Sequence, residues 1–256
     1  MLAQTFAQAF ANVSIWQLLL VAGVALFASV LGGVAGYGTG ALMPLVLVPM
    51  VGAENVVPII AIAGMLTNTG RVFAYLRQVD WRKVWIVSLG ALPPCMVTAY
   101  GYTLLTGKGA QILIGLMLIL TVPLRTMMRK RQMVLDDKGL FFGAVGYGTV
   151  MGGTVGAGVI LLSVLMATGL AGAAVIATDA VISLVVGVAR IVVFGTAGAI
   201  TVQTLAFAAL IGVVAFPGAF LAKAFVERLP IHIHTALLDA VVLIGGLVMV
   251  IGAFTR

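Results

Sequence analysis

The sequence predicts an all-α polytopic membrane protein made of two homologous repeats, most simply inverted. It should have about six to eight transmembrane helices, with short or re-entrant pieces where glycine breaks them. Three observations lead there. Of 256 residues, 62% are hydrophobic and only 8% charged, with a mean hydropathy of +1.24, whereas a soluble domain carries about 25% charged residues. No charge precedes Glu54, and none falls between Ile191 and Ala222. The apolar stretches are continuous runs of helical length, which a β-barrel with its short alternating segments would not show.

The first apolar segment covers about 14–51 and is interrupted by the run from Gly32 to Gly40, which carries Gly33, Gly36, Gly38 and Thr39. The second is 53–75. The third, 84–105, holds Pro93 and Pro94 at mid-span, and the fourth begins at Ala110 and reaches about Leu124. A basic linker follows, and then the pattern resumes. Residues 139–168 are again glycine-broken and split into 139–152 and 154–168. Segments 171–194, 201–222 (with Pro217) and 231–254 complete the chain.

The order of features repeats. Each half has a glycine-broken segment, a helix ending in an arginine (Arg71, Arg190) and a third helix with proline. Gly36-Tyr37-Gly38-Thr39 matches Gly146-Tyr147-Gly148-Thr149, although Gly38-Thr39-Gly40 can instead pair with Gly156-Ala157-Gly158, needing a one-residue gap to the arginines. The division is a repeat over 1–128, a basic linker over 129–138 and a second repeat over 139–256. If the glycine-broken segments dip in and return, each half keeps three full crossings and the repeats must be inverted, as in many secondary transporters. If they cross once, the repeats are parallel.

The net charge of +7 is not a nucleic-acid footprint. Basic residues gather in two short loops, one from Arg71 to Lys83 and one from Arg125 to Lys138, and the positive-inside rule places both in the cytoplasm. One cysteine, Cys95, cannot form an internal disulfide. The first residues lack the basic region of a cleaved signal peptide, so the N-terminal segment is expected to stay in the mature chain. No motif for an enzyme, metal or cofactor is present: Gly107-Lys108-Gly109 is too short for a phosphate loop, and His232 and His234 would point to opposite sides of a helix.

What remains inside the membrane carries the functional reading. Glycines four apart suit close helix packing, but the extra Gly38, Gly153 and Gly158 beside Thr39 and Thr154 should break a helix. Broken backbone at depth belongs against protein or a cavity, and freed amides at half-helix N-termini favour anions. An arginine at depth costs on the order of 3 kcal/mol on insertion scales, and its guanidinium forks onto oxyanions. Arg71 and Arg190 are therefore candidate anion ligands, with snorkelling to headgroups the alternative for Arg71. Asn68 and Thr67 sit one turn before Arg71 and can line the same cavity or bond between helices. Asp179 is either a proton-coupling carboxylate or the partner of an arginine. Asp239 more simply serves packing or an ion pair, and Glu54 is an interfacial acid at a helix start.

The glycine-rich segment followed by Leu42-Met43-Pro44-Leu45, its counterpart from Gly152 to Gly158, and the two-halves layout resemble the TauE/SafE family of sulfite exporters. The resemblance covers about 18–251. It implies a permease of the bacterial cytoplasmic (inner) membrane exporting sulfite, sulfoacetate or related organosulfonates. By that likeness Gly38, Gly40 and Pro44, with Gly153, Gly156 and Gly158, match the substrate region. Leu161-Leu162-Ser163 departs from the family, which often has a proline there. The expected activity is alternating-access export of a small sulfur oxyanion. A passive anion channel is the alternative, and a membrane-embedded enzyme subunit a more distant one. The expected partners are that anion and the lipid bilayer, with a homodimer left open; no nucleic acid, metal or cofactor is expected.

Overall fold

The computed structural model describes residues 10, 13–35, 38–130, 134–218, 220–221 and 231–255. Within them the chain is helical: α1 (Ile15–Ala35), α2 (Thr39–Val51), α3 (Ala53–Tyr75), α4 (Trp81–Thr103), α5 (Gly107–Lys130), α6 (Asp137–Gly153), α7 (Gly158–Met166), α8 (Ala173–Thr196), α9 (Val202–Ala215) and α10 (Ile231–Thr255). Among the described residues four stretches are long and apolar enough to cross a bilayer: 53–78, 81–103, 107–124 and 173–196. This is a multi-pass membrane protein.

One end of the bundle gathers the basic loops. Arg82 and Asp137, at the starts of α4 and α6, form an ion pair there. Asp80 caps α4 by accepting from the Lys83 amide (3.1 Å) and the Lys83 ammonium (2.8 Å), and its own amide donates to the Thr178 hydroxyl of α8 at 3.0 Å. Burial pushes the Asp80 carboxyl up, but the hydrogen bonds from Lys83 outweigh it and hold the group below its ordinary range. Its folded value is therefore lower than its unfolded value. The stabilisation is complete above the unfolded value and is lost as pH falls through the folded one. Replacing Asp80 with Ala should cost about 1 kcal/mol, read as a lower thermal midpoint in detergent.

The opposite end joins the starts of α3 and α5 to the ends of α4 and α8. Tyr102 donates its hydroxyl to the Ala53 carbonyl, and its ring meets Phe194 edge-on at 6.2 Å. Glu54, exposed in the first turn of α3, lies close enough that a Cβ on Gly107 would come within 2.8 Å of its carboxylate. Two helix starts thus share one acid, which is where a carboxylate is electrostatically favoured.

Packing fixes the directions. α5 and α10 are antiparallel: Lys108 lies over Phe254, Gln111 donates to the Met249 carbonyl at 2.8 Å, and Gly115 faces Gly246. α3 and α8 are also antiparallel, with Arg71 against Asp179 and Met65 against Gly187. α4 and α6 run parallel, since Gly90 faces Ala144, Ala91 faces Gly148 and Cys95 faces Gly152 along the pair. α1 and α9 are parallel too: Phe10, shortly before α1, meets Phe207 edge-on at 5.2 Å, and Ser29 donates to the Ala215 carbonyl at 2.6 Å.

The glycine-broken segments fold back as helical hairpins. α6 enters from the basic end, the chain turns over residues 154–157, and α7 comes back beside it. Val164 is the neighbour of Gly143, and the Leu135 amide donates to the Ala167 carbonyl at 2.7 Å. The return helix has nine residues, about 14 Å, half of what a crossing needs. α1 and α2 form the corresponding hairpin from the other end, with α2 returning over 13 residues to Val51. Pro93 and Pro94 lie inside an uninterrupted α4, whereas α9 stops at Ala215, two residues before Pro217.

Candidate functional site

Where the two hairpin tips meet, between the two apolar cores of the bundle, lies a cavity of about 110 Å³. One water needs about 10–15 Å³ by the same measure, so several waters or a small anion fit. The tips supply Gly38, Thr39 and Gly40 from one side and Gly156, Ala157 and Gly158 from the other. Local chemistry explains the turns. Gly156 adopts φ +83°, which only glycine takes without strain. A Cβ on Gly40 would stand 2.9 Å from the Gly156 amide nitrogen.

Both return helices begin at the cavity. The N-cap of α2 is Gly38 and that of α7 is Ala157, and neither offers a side-chain acceptor. The first-turn amides of an α-helix have no acceptor within it, so both starts turn donors and a positive dipole end toward the same space. Gly40→Ala should force the tips apart. The expected outcome is impaired flux in vesicles at normal protein abundance, because the clash is confined to two tips lining a cavity.

The side walls come from α3 and α8 in matching register. Ile60, Gly64, Asn68 and Arg71 line the cavity from α3; Asp179, Ser183, Gly187 and Arg190 line it from α8. Each position in the first set plus 119 gives its counterpart in the second. The spacing of four, four and three keeps all members of a set on one helix face.

The two arginines differ in their surroundings. Arg71 does not snorkel: its side chain is 12% exposed and lies 3.0 Å from the Asp179 carboxylate, itself 2% exposed. It also donates to Asn68 Oδ1 at 3.1 Å. Asp179, open at the sequence level between two roles, has here the geometry of an arginine's partner. Its Oδ1 and the Arg71 Nε have no hydrogen-bond partner. Arg190 is 1% exposed. It donates to the Thr154 carbonyl at 3.1 Å and stands 5.7 Å from the Phe194 ring centroid, within cation–π range. It belongs to no ion pair among the described residues, and its Nε is unpartnered.

Of the residues expected at the site, Gly38, Thr39, Gly40, Asn68, Arg71, Gly156, Gly158, Asp179 and Arg190 come together. Thr154 stands behind Arg190 and holds it by its carbonyl. Pro44 and Gly153 are not on the cavity wall: Pro44 is buried in α2, and Gly153 packs on Thr98 of α4. Ser29, Ile60, Gly64, Ser183 and Gly187 line the cavity without having been expected there; for all but Ser29, which comes from α1, their spacing from the arginines was the available signal. Gly146–Thr149 lie in the body of α6, with Gly148 against α4, so the tetrapeptide match pairs Gly38 and Thr39 at a helix start with Gly148 and Thr149 inside a helix. Asp239 is half-buried in α10 and outside the cavity lining. The side chains of His232 and His234 lie outside the described set. Among the described residues no three His, Cys, Asp or Glu side chains come together.

No curated protein and no solved structure matches the chain at a significant level. The family model for the sulfite exporter TauE/SafE matches residues 21–249, a span that includes both hairpin tips, both arginines and the whole cavity lining. Helices fit to cross a bilayer, a central cavity rich in amide donors and guanidinium groups, and this match lead to one conclusion: the chain belongs to the sulfite exporter TauE/SafE family, a family of membrane transporters.

Proposed function

We propose that the protein exports a small sulfur oxyanion, sulfite or a C2 sulfonate such as sulfoacetate, across the bacterial cytoplasmic membrane. The observation that carries this is Arg190. A guanidinium 1% exposed, outside any ion pair among the described residues and with Nε unpartnered, faces a cavity between two uncapped helix starts. A buried charge without a counter-charge is costly, and an anion in the cavity would supply one. Family membership narrows the anion to sulfur chemistry.

Alternating access follows from an inverted-repeat reading, in which 1–128 and 139–256 are the repeats and 129–138 the cytoplasmic linker. Its support is the opposite entry of the two hairpins, the antiparallel α3–α8 pair with its shared register, and packing partners that remain the same when the halves are exchanged: α4 on α6 and α9 on α1, α4 on α8 and α9 on α3. Three crossings in each half then run in opposite senses around a midplane site. The membrane potential would drive an anion outward with about 2.3 kcal/mol per charge per 100 mV.

Flux of sulfite and sulfoacetate into vesicles holding the purified protein tests the reading. Saturable flux that stops with chloride in their place supports it. Flux equal to that of protein-free vesicles for every sulfur oxyanion would end it, and unsaturable flux at channel rates would replace the transporter with a channel.

A further inference from the structure

Three ionisable side chains line the cavity: Arg71, Asp179 and Arg190. With all three charged, the lining carries one net positive charge, and it belongs to Arg190, because Arg71 is matched by Asp179 at 3.0 Å. The halves are unequal at one position. The counterpart of Asp179 on α3 is Ile60, so Arg190 lacks the carboxylate that its equivalent possesses. Asp179 also keeps one oxygen without a hydrogen-bond partner, a place for a proton.

We infer, on the basis of the anion site proposed above, that Asp179 sets the charge class of the substrate: the cavity takes a monoanion as it stands, and a dianion only together with one proton on Asp179. A monoanion on Arg190 leaves the lining neutral. A dianion adds a second negative charge in a site of low dielectric, close to a carboxylate that is already ionised; protonating Asp179 removes that repulsion and frees Arg71 to share the load. Dianion binding therefore takes up one proton and monoanion binding none. The groups around Asp179 do not supply this proton in its place. Arg71 on α3 and Tyr147 on α6 act on Asp179 directly, and next to them come Tyr75, which feels Arg71, and Cys95 on α4, which feels Arg190; α7 brings no ionisable side chain, and Asp80 and Lys83 at the end of the bundle bind each other. The guanidiniums are permanently charged, and the phenols and thiol are ordinarily neutral near pH 7.

Sulfate and methanesulfonate, doubly and singly charged across the neutral range, are the probes. Affinity of the full-length protein for each, by calorimetry over a pH series, should fall about tenfold per pH unit for sulfate above the titration of Asp179 and stay flat for methanesulfonate. In Asp179→Asn the sulfate slope should vanish. A second variant leaves that carboxylate in place: Ile60→Asp gives Arg190 the missing partner and should weaken methanesulfonate at least about tenfold more than Ile60→Asn, which matches it in size and polarity without the charge. Equal slopes for two bound anions, or undiminished methanesulfonate binding by Ile60→Asp, overturn the inference alone. Binding of neither anion by the wild type at any pH overturns it together with the anion site.

Discussion

Arg190→Ala lowers affinity for the transported anion by at least about 30-fold, with the protein as abundant and as thermostable as the wild type. The magnitude follows from the 2–5 kcal/mol usually lost when one member of a buried charge pair is truncated, at about 1.4 kcal/mol per decade. Abundance should hold because the substitution orphans no carboxylate: Arg190 gives up one bond to the Thr154 carbonyl and a ring contact. Arg71→Ala differs in kind, since it strands Asp179, and removing one partner of a buried pair costs roughly 3–5 kcal/mol of stability. The two arginines are thus separable by which quantity moves, affinity or stability. Anion affinity unchanged in Arg190→Ala would take the charge partner out of the proposed site.

The second large effect is structural. Gly148→Ala should destabilise the fold by about 3 kcal/mol, the upper end of the usual range for overpacking, because its new Cβ would overlap the carbonyl oxygen and Cα of Ala91. Both sides of that clash are helix backbone, so no rotamer change relieves it. Gly152 repeats the situation against Cys95 and Thr98 one turn on. Gly146→Ala, two residues away with nothing within 4 Å of its Cβ position, should be neutral or slightly stabilising, as alanine outranks glycine in a helix by up to about 1 kcal/mol. Yield and thermal midpoint in detergent decide it. Equal values for the two variants would show that α4 and α6 are not packed backbone to backbone.

These glycines illustrate what could be read from the sequence. Membrane class, the two basic loops and the approximate positions of the helix breaks were legible because charge and apolar run length act locally. Arg190 stood out because an isolated arginine at depth is expensive. The purpose of an individual glycine was not legible: Gly148 makes room for α4, whereas Gly156 adopts a left-handed turn, and a tetrapeptide match cannot separate the two. The partner of Arg71 was equally hidden, since Asp179 comes from the other half of the chain and only the α3–α8 crossing joins them. The helical spacing of Gly64, Ser183 and Gly187 from the arginines was present in the sequence, and it acquires meaning once those helices are known to face each other.

The pairing of each hairpin with a helix from the other half also bears on biosynthesis. α1 is the earliest helix here to leave the ribosome, yet its parallel neighbour α9 is made some 170 residues later. α6 finds α4 already waiting. At the rates usual for translation, roughly 5–20 residues per second, the first hairpin stands without that neighbour for about ten seconds or more. Of the two hairpins the N-terminal one is thus made first and is the later to be completed, a window in which quality control can act on chains that stop short of α9.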